Sequence, residues 1–175
     1  YIIEKAKPYA DEIKTDAMGN VLVFKKGKTQ PKHTVMLAAH MDEVGFMVTA
    51  ITEEGYLKFG TVGGIDPRVM CGRHVQVGDD KRQVHGVIAS KAIHLQTPEE
   101  RAKTTPVRNM YIDIGAKDAE DAKKYVSVGD YAVFDSDFVT FGKDNTRMKG
   151  KALDDRAGCA MLIEIMRDLH ARPCD

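Results

Sequence analysis

A change of texture along the chain narrows the fold more than any other feature. Between Gly60 and Gly142 short alternating runs recur: HVQVG, QVHGVIAS, MYIDIGA, YAVF and FVTFG, each bounded by turn residues. Alternation with a period of two puts the apolar side chains of a strand on one face. Several such strands, separated by turns at short intervals, describe a small barrel or sandwich. The runs VGFMVTAI and GYLKFG, joined by the turn TEEG, precede them in the same style. One insert, KDAEDAKKYV, has the spacing of an amphipathic helix charged on its outer side, and HLQTPEERAKTTP reads as a polar loop.

The two ends of the chain are different. Tyr1 to Ile13 suits a short surface helix that Pro8 interrupts. Gly19-Asn20 reads as a tight turn feeding a strand from Val21 to Phe24. Val35 to Ala39 are continuously apolar, as in a strand covered on both faces. After Gly150 the spacing turns helical: Leu162, Ile165, Met166 and Leu169 share one face, Asp154 and Asp155 stand where acids favour a helix start, and Pro173 closes it. The expected fold class is therefore α/β. Residues 1–45 and 140–175 form an incomplete α/β layer, interrupted by an inserted β-rich, barrel-like block at 46–139.

Composition removes some functions. Lys+Arg and Asp+Glu are equal at 26 each, so the chain lacks the basic excess that nucleic-acid binding uses. No apolar run approaches the roughly 20 residues that span a bilayer, and no membrane role is expected. The start, YIIEKAKPYADEI, has neither an initiator Met nor the layout of a signal peptide; a longer parent chain is the expectation. Cys71, Cys159 and Cys174 are odd in number and lack CxxC spacing, which argues against a disulfide framework and suits a reducing cytoplasm. Cys159, on an apolar helical stretch, reads as a small core residue.

Two short units carry chemistry. In AAHMDEVGFMV, His40 ends the apolar run and Asp42 lies two residues on, pointing the same way if the chain is extended. A metal-binding histidine needs its second ring nitrogen held, commonly by a carboxylate, and open α/β sheets gather ligands at the carboxyl ends of their strands. A polar surface turn accounts for the same residues. In GKALDDRAG, a carboxylate at a loop-to-helix junction can bridge two metal ions; an N-cap with a dipole-favoured acid explains it equally. Arg156 could pair with either Asp. His94, between a strand and a polar loop, is a weaker candidate, and His33, His74, His85 and His170 have no acidic partner in their local pattern. Glu43 beside Asp42 is too slight a signal for the acid pair of a glycoside hydrolase. There is no GxSxG, HExxH, P-loop or GxGxxG.

Taken together, AAHMDEVGFMV and GKALDDRAGCA resemble the metallo-aminopeptidases of the glutamyl aminopeptidase and tetrahedral (TET) aminopeptidase family, some of which carry an endoglucanase label. DAMGNVLVFKKGK, GGIDPRVMCGRHVQV, GVIASKAIHLQTPEER and MYIDIGAKDAEDAKKYVSVGDYAVF resemble family segments in the same order. The resemblance covers nearly the whole chain. It implies an exopeptidase with two divalent metal ions, zinc or cobalt, acting on short peptides. It also implies an α/β catalytic domain interrupted by a β-rich dimerisation domain, and a homo-oligomer of at least two copies. His40 would bind one ion, Asp42 would orient the site as a catalytic residue, and Asp154 would bridge both ions. Asp155, joined to Asp154 by a cis peptide bond, would be an active-site neighbour, and His94, by its place between strand and loop, is a second candidate neighbour. The family's general-base glutamate and its remaining ligands would fall past Asp175. The alternative is a catalytically inactive piece that serves only as an oligomerisation or binding module.

Overall fold

The computed structural model describes residues 1–29, 33–79 and 81–173; Cys174 lies outside them. The chain divides into two compact units, one of residues 1–42 and 152–175, the other of residues 43–151. The sequence pattern places the joins at 45/46 and 139/140. Residues 140–151, grouped there with the outer segments, fall within the second unit.

The second unit is built on a closed six-stranded barrel. Its strands are β3 (Gly45–Ile51), β4 (Leu57–Val62), β5 (His74–Gly78), β6 (Gln83–Ala89), β7 (Tyr111–Asp113) and β8 (Tyr131–Phe134). They close in the order β3-β4-β7-β6-β5-β8. Closure gives each barrel strand a neighbour on both sides, although β4 meets β7 over a short register, Leu57 opposite Ile112. Alternation explains the interior: Phe46, Val48, Leu57, Val75, Val77, Ile88 and Ile112 point inward and are buried. Phe46 packs edge-to-face on Phe59 at 5.0 Å and on Phe134 at 5.1 Å between ring centres. The register of β3 on β4 shifts between Val48 and Ala50, a bulge that adds local twist. Gly86 lies where a Cβ would meet Ile112 Cγ2 at 2.7 Å, so only a bare backbone fits beside β7.

Helix α3 (Ala119–Lys123) starts at Asp118, whose side chain accepts from the Asp121 N–H, and it buries Ala122 with Val126 against the barrel. The segment expected as a polar loop contains a 3-10 turn at Ile93–Leu95 and the short helix α2 (Pro98–Arg101). A full capping box between Thr97 and Glu100 starts α2. A hairpin, β9 (Val139–Phe141) with β10 (Arg147–Lys149), completes this unit. Glu43 turns to Lys151, with Nζ 2.8 Å from its carboxylate, so it is spent on an ion pair rather than on an acid pair with Asp42.

In the first unit, α1 is shorter than the sequence suggested, Ile2–Ala6. Ile13 belongs to β1 (Glu12–Thr15), which pairs with β2 (Val21–Phe24). Asp16 ties the connecting turn, accepting from Met18 N, Asn20 N and Asn20 Nδ2. The expected strand at 35–39 does not form: residues 34–44 have neither helix nor strand pairing, and Val35 and Met36 are 81% and 84% exposed. A strand needs a neighbour for its N–H and C=O groups, and among the described residues β1 and β2 pair only with each other. The long helix α4 spans Leu153–Ala171. Leu162, Ile163, Met166 and Leu169 are half-buried, whereas Ile165, counted in the stripe on sequence, is exposed. His170 meets the Tyr9 ring edge-on at 5.8 Å.

Candidate metal centre

The start of α4 is irregular, and that irregularity presents the acids. Ala152 is left-handed at φ +56, and Asp154 and Asp155 have non-helical backbones. The Asp154–Asp155 peptide bond is cis, as the resemblance implies. Asp155 then acts as the cap: its Oδ1 accepts from the Gly158 N–H at 3.2 Å. A Cβ on residue 158 would run into that carboxylate, which gives Gly158 a reason. Asp154 is left facing solvent, 96% exposed along its side chain.

His40 lies between two carboxylates of its own unit. Its Nδ1 is 3.0 Å from Asp42 Oδ1, and its Nε2 is 3.2 Å from Asp154 Oδ1. Desolvation pulls the His40 pKa down. The hydrogen bond and charge of Asp42, with the charge of Asp154, outweigh it and leave the ring above its ordinary value. Two acceptors on opposite ring nitrogens favour the imidazolium when no cation is present.

The donor set fits a divalent ion. An imidazole nitrogen and a carboxylate oxygen suit zinc or cobalt. Around a tetrahedral zinc with bonds of about 2.0–2.1 Å, neighbouring donor atoms lie roughly 3.3 Å apart. The Nε2 and Oδ1 atoms stand at that spacing. Asp42 is on the far side of the ring, so the three side chains do not converge on one point. Accordingly, among the described residues no group of three or more His, Cys, Asp or Glu side chains is arranged to hold a metal ion. His40 Nε2 and Asp154 Oδ1 are the two atoms here that could hold an ion, with Asp42 behind the ring.

Other candidates go elsewhere. His94 stands in the 3-10 turn of the second unit, exposed between Ile93 and Leu95. His85 Nδ1 is 3.2 Å from Asp135 Oδ2, an acidic partner that local sequence did not reveal. Arg156 pairs with neither aspartate: its Nε donates to the Met41 carbonyl at 2.8 Å. Cys159 is not simply core, since its Sγ donates to the His40 carbonyl at 3.3 Å. Both it and Cys71 are free thiols. Sequence reasoning missed these two contacts because a backbone carbonyl over a hundred residues away leaves no pattern.

A family model for the M42 glutamyl aminopeptidases matches residues 19–175. The chain belongs to that family. The lysyl aminopeptidase of Pyrococcus furiosus is 30% identical over 176 residues, covering 99% of this chain and 49% of that one. The crystal structure of a TET aminopeptidase from a marine sediment thaumarchaeote superposes with a TM-score of 0.86 at 43% identity, over 98% of this chain and 48% of that one. The TET1 peptidase of Pyrococcus horikoshii, described as assembling into a tetrahedron or a large octahedral shell, gives 0.77 at 39% identity over 98% of this chain and 50% of that one. The M42 chain described here thus spans about half the length of the curated relatives it matches.

Proposed function

We propose that this M42 chain contributes the His40–Asp42 segment and the helix start at Asp154 to the metal centre of a metal-dependent aminopeptidase, which removes N-terminal residues from short peptides. The observation that carries the reading is the 3.2 Å approach of His40 Nε2 to Asp154 Oδ1, with Asp42 on the other ring nitrogen. His40 would give Nε2 to one divalent ion, and Asp154, through its two oxygens, would reach that ion and a second. Asp42 would keep the Nδ1 proton in place, which fixes the tautomer and aims Nε2 outward. Zinc or cobalt, when bound as a pair, would supply an activated water and polarise the scissile carbonyl. The openness of Asp154 leaves room for a peptide end to approach.

The reading extends to assembly. The barrel of the 43–151 unit is the proposed dimerisation domain, inserted in a catalytic domain made from the outer segments. The assembly of the Pyrococcus horikoshii relative supports a homo-oligomer of at least two copies. Asp155, in the same unit as His40 and Asp154, is proposed as an active-site neighbour, and the cytoplasm as the compartment. Among the described residues no helix is long and apolar enough to cross a membrane.

A second reading has one observation in its favour. The barrel is closed with its own core, whereas the segment around Val35 and Met36 in the other unit is uncovered. The chain would then be an inactive binding or oligomerisation module. Hydrolysis of aminoacyl anilides with added zinc or cobalt separates the two. Activity that Asp154→Ala abolishes supports the peptidase; no activity in the parent chain supports the module; and activity retained by Asp154→Ala removes the role given to that residue.

A further inference from the structure

Residues 34–44 have no ladder and no helix to hold them, yet His40 must face Asp154 at a defined distance. Among the described residues, two side chains of α4 hold its backbone. Arg156 Nε donates to the Met41 carbonyl at 2.8 Å, and Cys159 Sγ donates to the His40 carbonyl at 3.3 Å. The same turn of helix presents Asp154, two residues before Arg156. The Asp155 cap on Gly158 steadies that turn. One short stretch, 154–159, therefore carries one candidate ligand and grips the main chain that carries the other.

We propose that Arg156 is a positioning residue of the metal centre. By holding the Met41 carbonyl, its guanidinium sets the separation between His40 Nε2 and Asp154 Oδ1, and Cys159 holds the adjacent carbonyl in support. This rests on the reading of His40 and Asp154 as ligands. The chemistry of arginine suits the task. Its guanidinium stays charged at any working pH, and its planar fork loses little freedom when one N–H is engaged. Lysine could reach the carbonyl as a point donor but could not fix an angle. A loosened His40 would need ordering each time an ion bound, and the bound geometry would vary.

The test is a cobalt(II) titration of the chain by calorimetry, with the visible spectrum recorded at saturation. Asp154→Ala, Arg156→Gln, Arg156→Lys and Cys159→Ala are compared with the parent, and each melting temperature is taken without metal. The expected result is at least a tenfold weaker affinity for Arg156→Gln, the size seen when the outer support of a ligand is removed, with a changed spectrum at saturation. Arg156→Lys should recover part of both, and Cys159→Ala should lose less than Arg156→Gln. A merely structural role would lower the melting temperature and leave affinity and saturated spectrum as in the parent; that outcome overturns the proposal. If Arg156→Gln does not fold, Arg156→Lys decides: parent-like affinity and spectrum overturn the proposal. Loss of binding in Asp154→Ala with both Arg156 variants unchanged leaves the ligand reading standing and removes the positioning role. A parent chain that binds no cobalt removes both.

Discussion

Asp42 is the residue whose assigned part can be put at risk most cleanly. It touches His40 on the ring nitrogen that faces away from Asp154, at 3.0 Å, and its side chain is 87% exposed. It is therefore expected to orient the ligand rather than to be one. Removing such a partner lowers metal affinity by roughly 10- to 100-fold. Two features put Asp42→Ala near the lower end, about tenfold: only one contact is lost, and water can take its place at so open a site. Asp42→Asn keeps an acceptor for the Nδ1 proton and should lose less. Zinc affinity measured by competition with a chromophoric chelator reads this directly. The melting temperature without metal should move by no more than about 2 °C, as for other exposed substitutions. An affinity equal to the parent would refute the orienting role. A loss as large as that of Asp154→Ala would refute it in the other direction, by making Asp42 a ligand.

The barrel offers a contrasting case: Phe46→Ala removes a fully buried ring flanked by Phe59 and Phe134 and should cost about 3–5 kcal/mol in urea unfolding followed by circular dichroism. Val35→Ala, at an 81% exposed position, should stay within about 0.5 kcal/mol; equal effects of the two would contradict the burial described. In the outer unit, the Lys26 N–H on the Asp11 carboxylate outweighs desolvation and, with help from Lys25, holds its pKa below the ordinary value. A carboxylate depressed in the folded state stabilises above its unfolded pKa, and the gain is lost as pH falls through the folded one. Asp11→Asn should therefore be destabilising at neutral pH and match the parent in acid below both values. Urea midpoints across that range check this, and a difference that grows toward acid pH would contradict it.

The parts that were legible in the sequence are those that rest on local periodicity. Every barrel strand overlaps a run that alternates or is framed by turns, because a closed barrel buries one face of each strand; β4 extends past its run to Val62. The helix after Gly150 was legible for the same reason. Capping chemistry was also present in plain form, since Thr97-Pro-Glu-Glu100 carries the box that starts α2, yet the polarity of the tract favoured a loop. The apolar run Val35–Ala39 misled because its composition suits a covered strand, while among the described residues of its unit no strand pairs with it. His40, Asp42 and Asp154 could be singled out from residue type and spacing. Arg156 and Cys159 could not, because what they bind is the main chain of His40 and Met41. Glu43 invited a chemical role by its place beside Asp42, and its ion pair with Lys151 removes it.

His40 and Asp154 are proposed as donors to one ion. Crystals of the chain grown with zinc, with anomalous diffraction collected on both sides of the zinc absorption edge, test it most directly. The expected result is a peak about 2.0–2.2 Å from both His40 Nε2 and Asp154 Oδ1, with Asp42 still on Nδ1 behind the ring. A peak that involves only one of the two, or none at this place with zinc in excess, would contradict it.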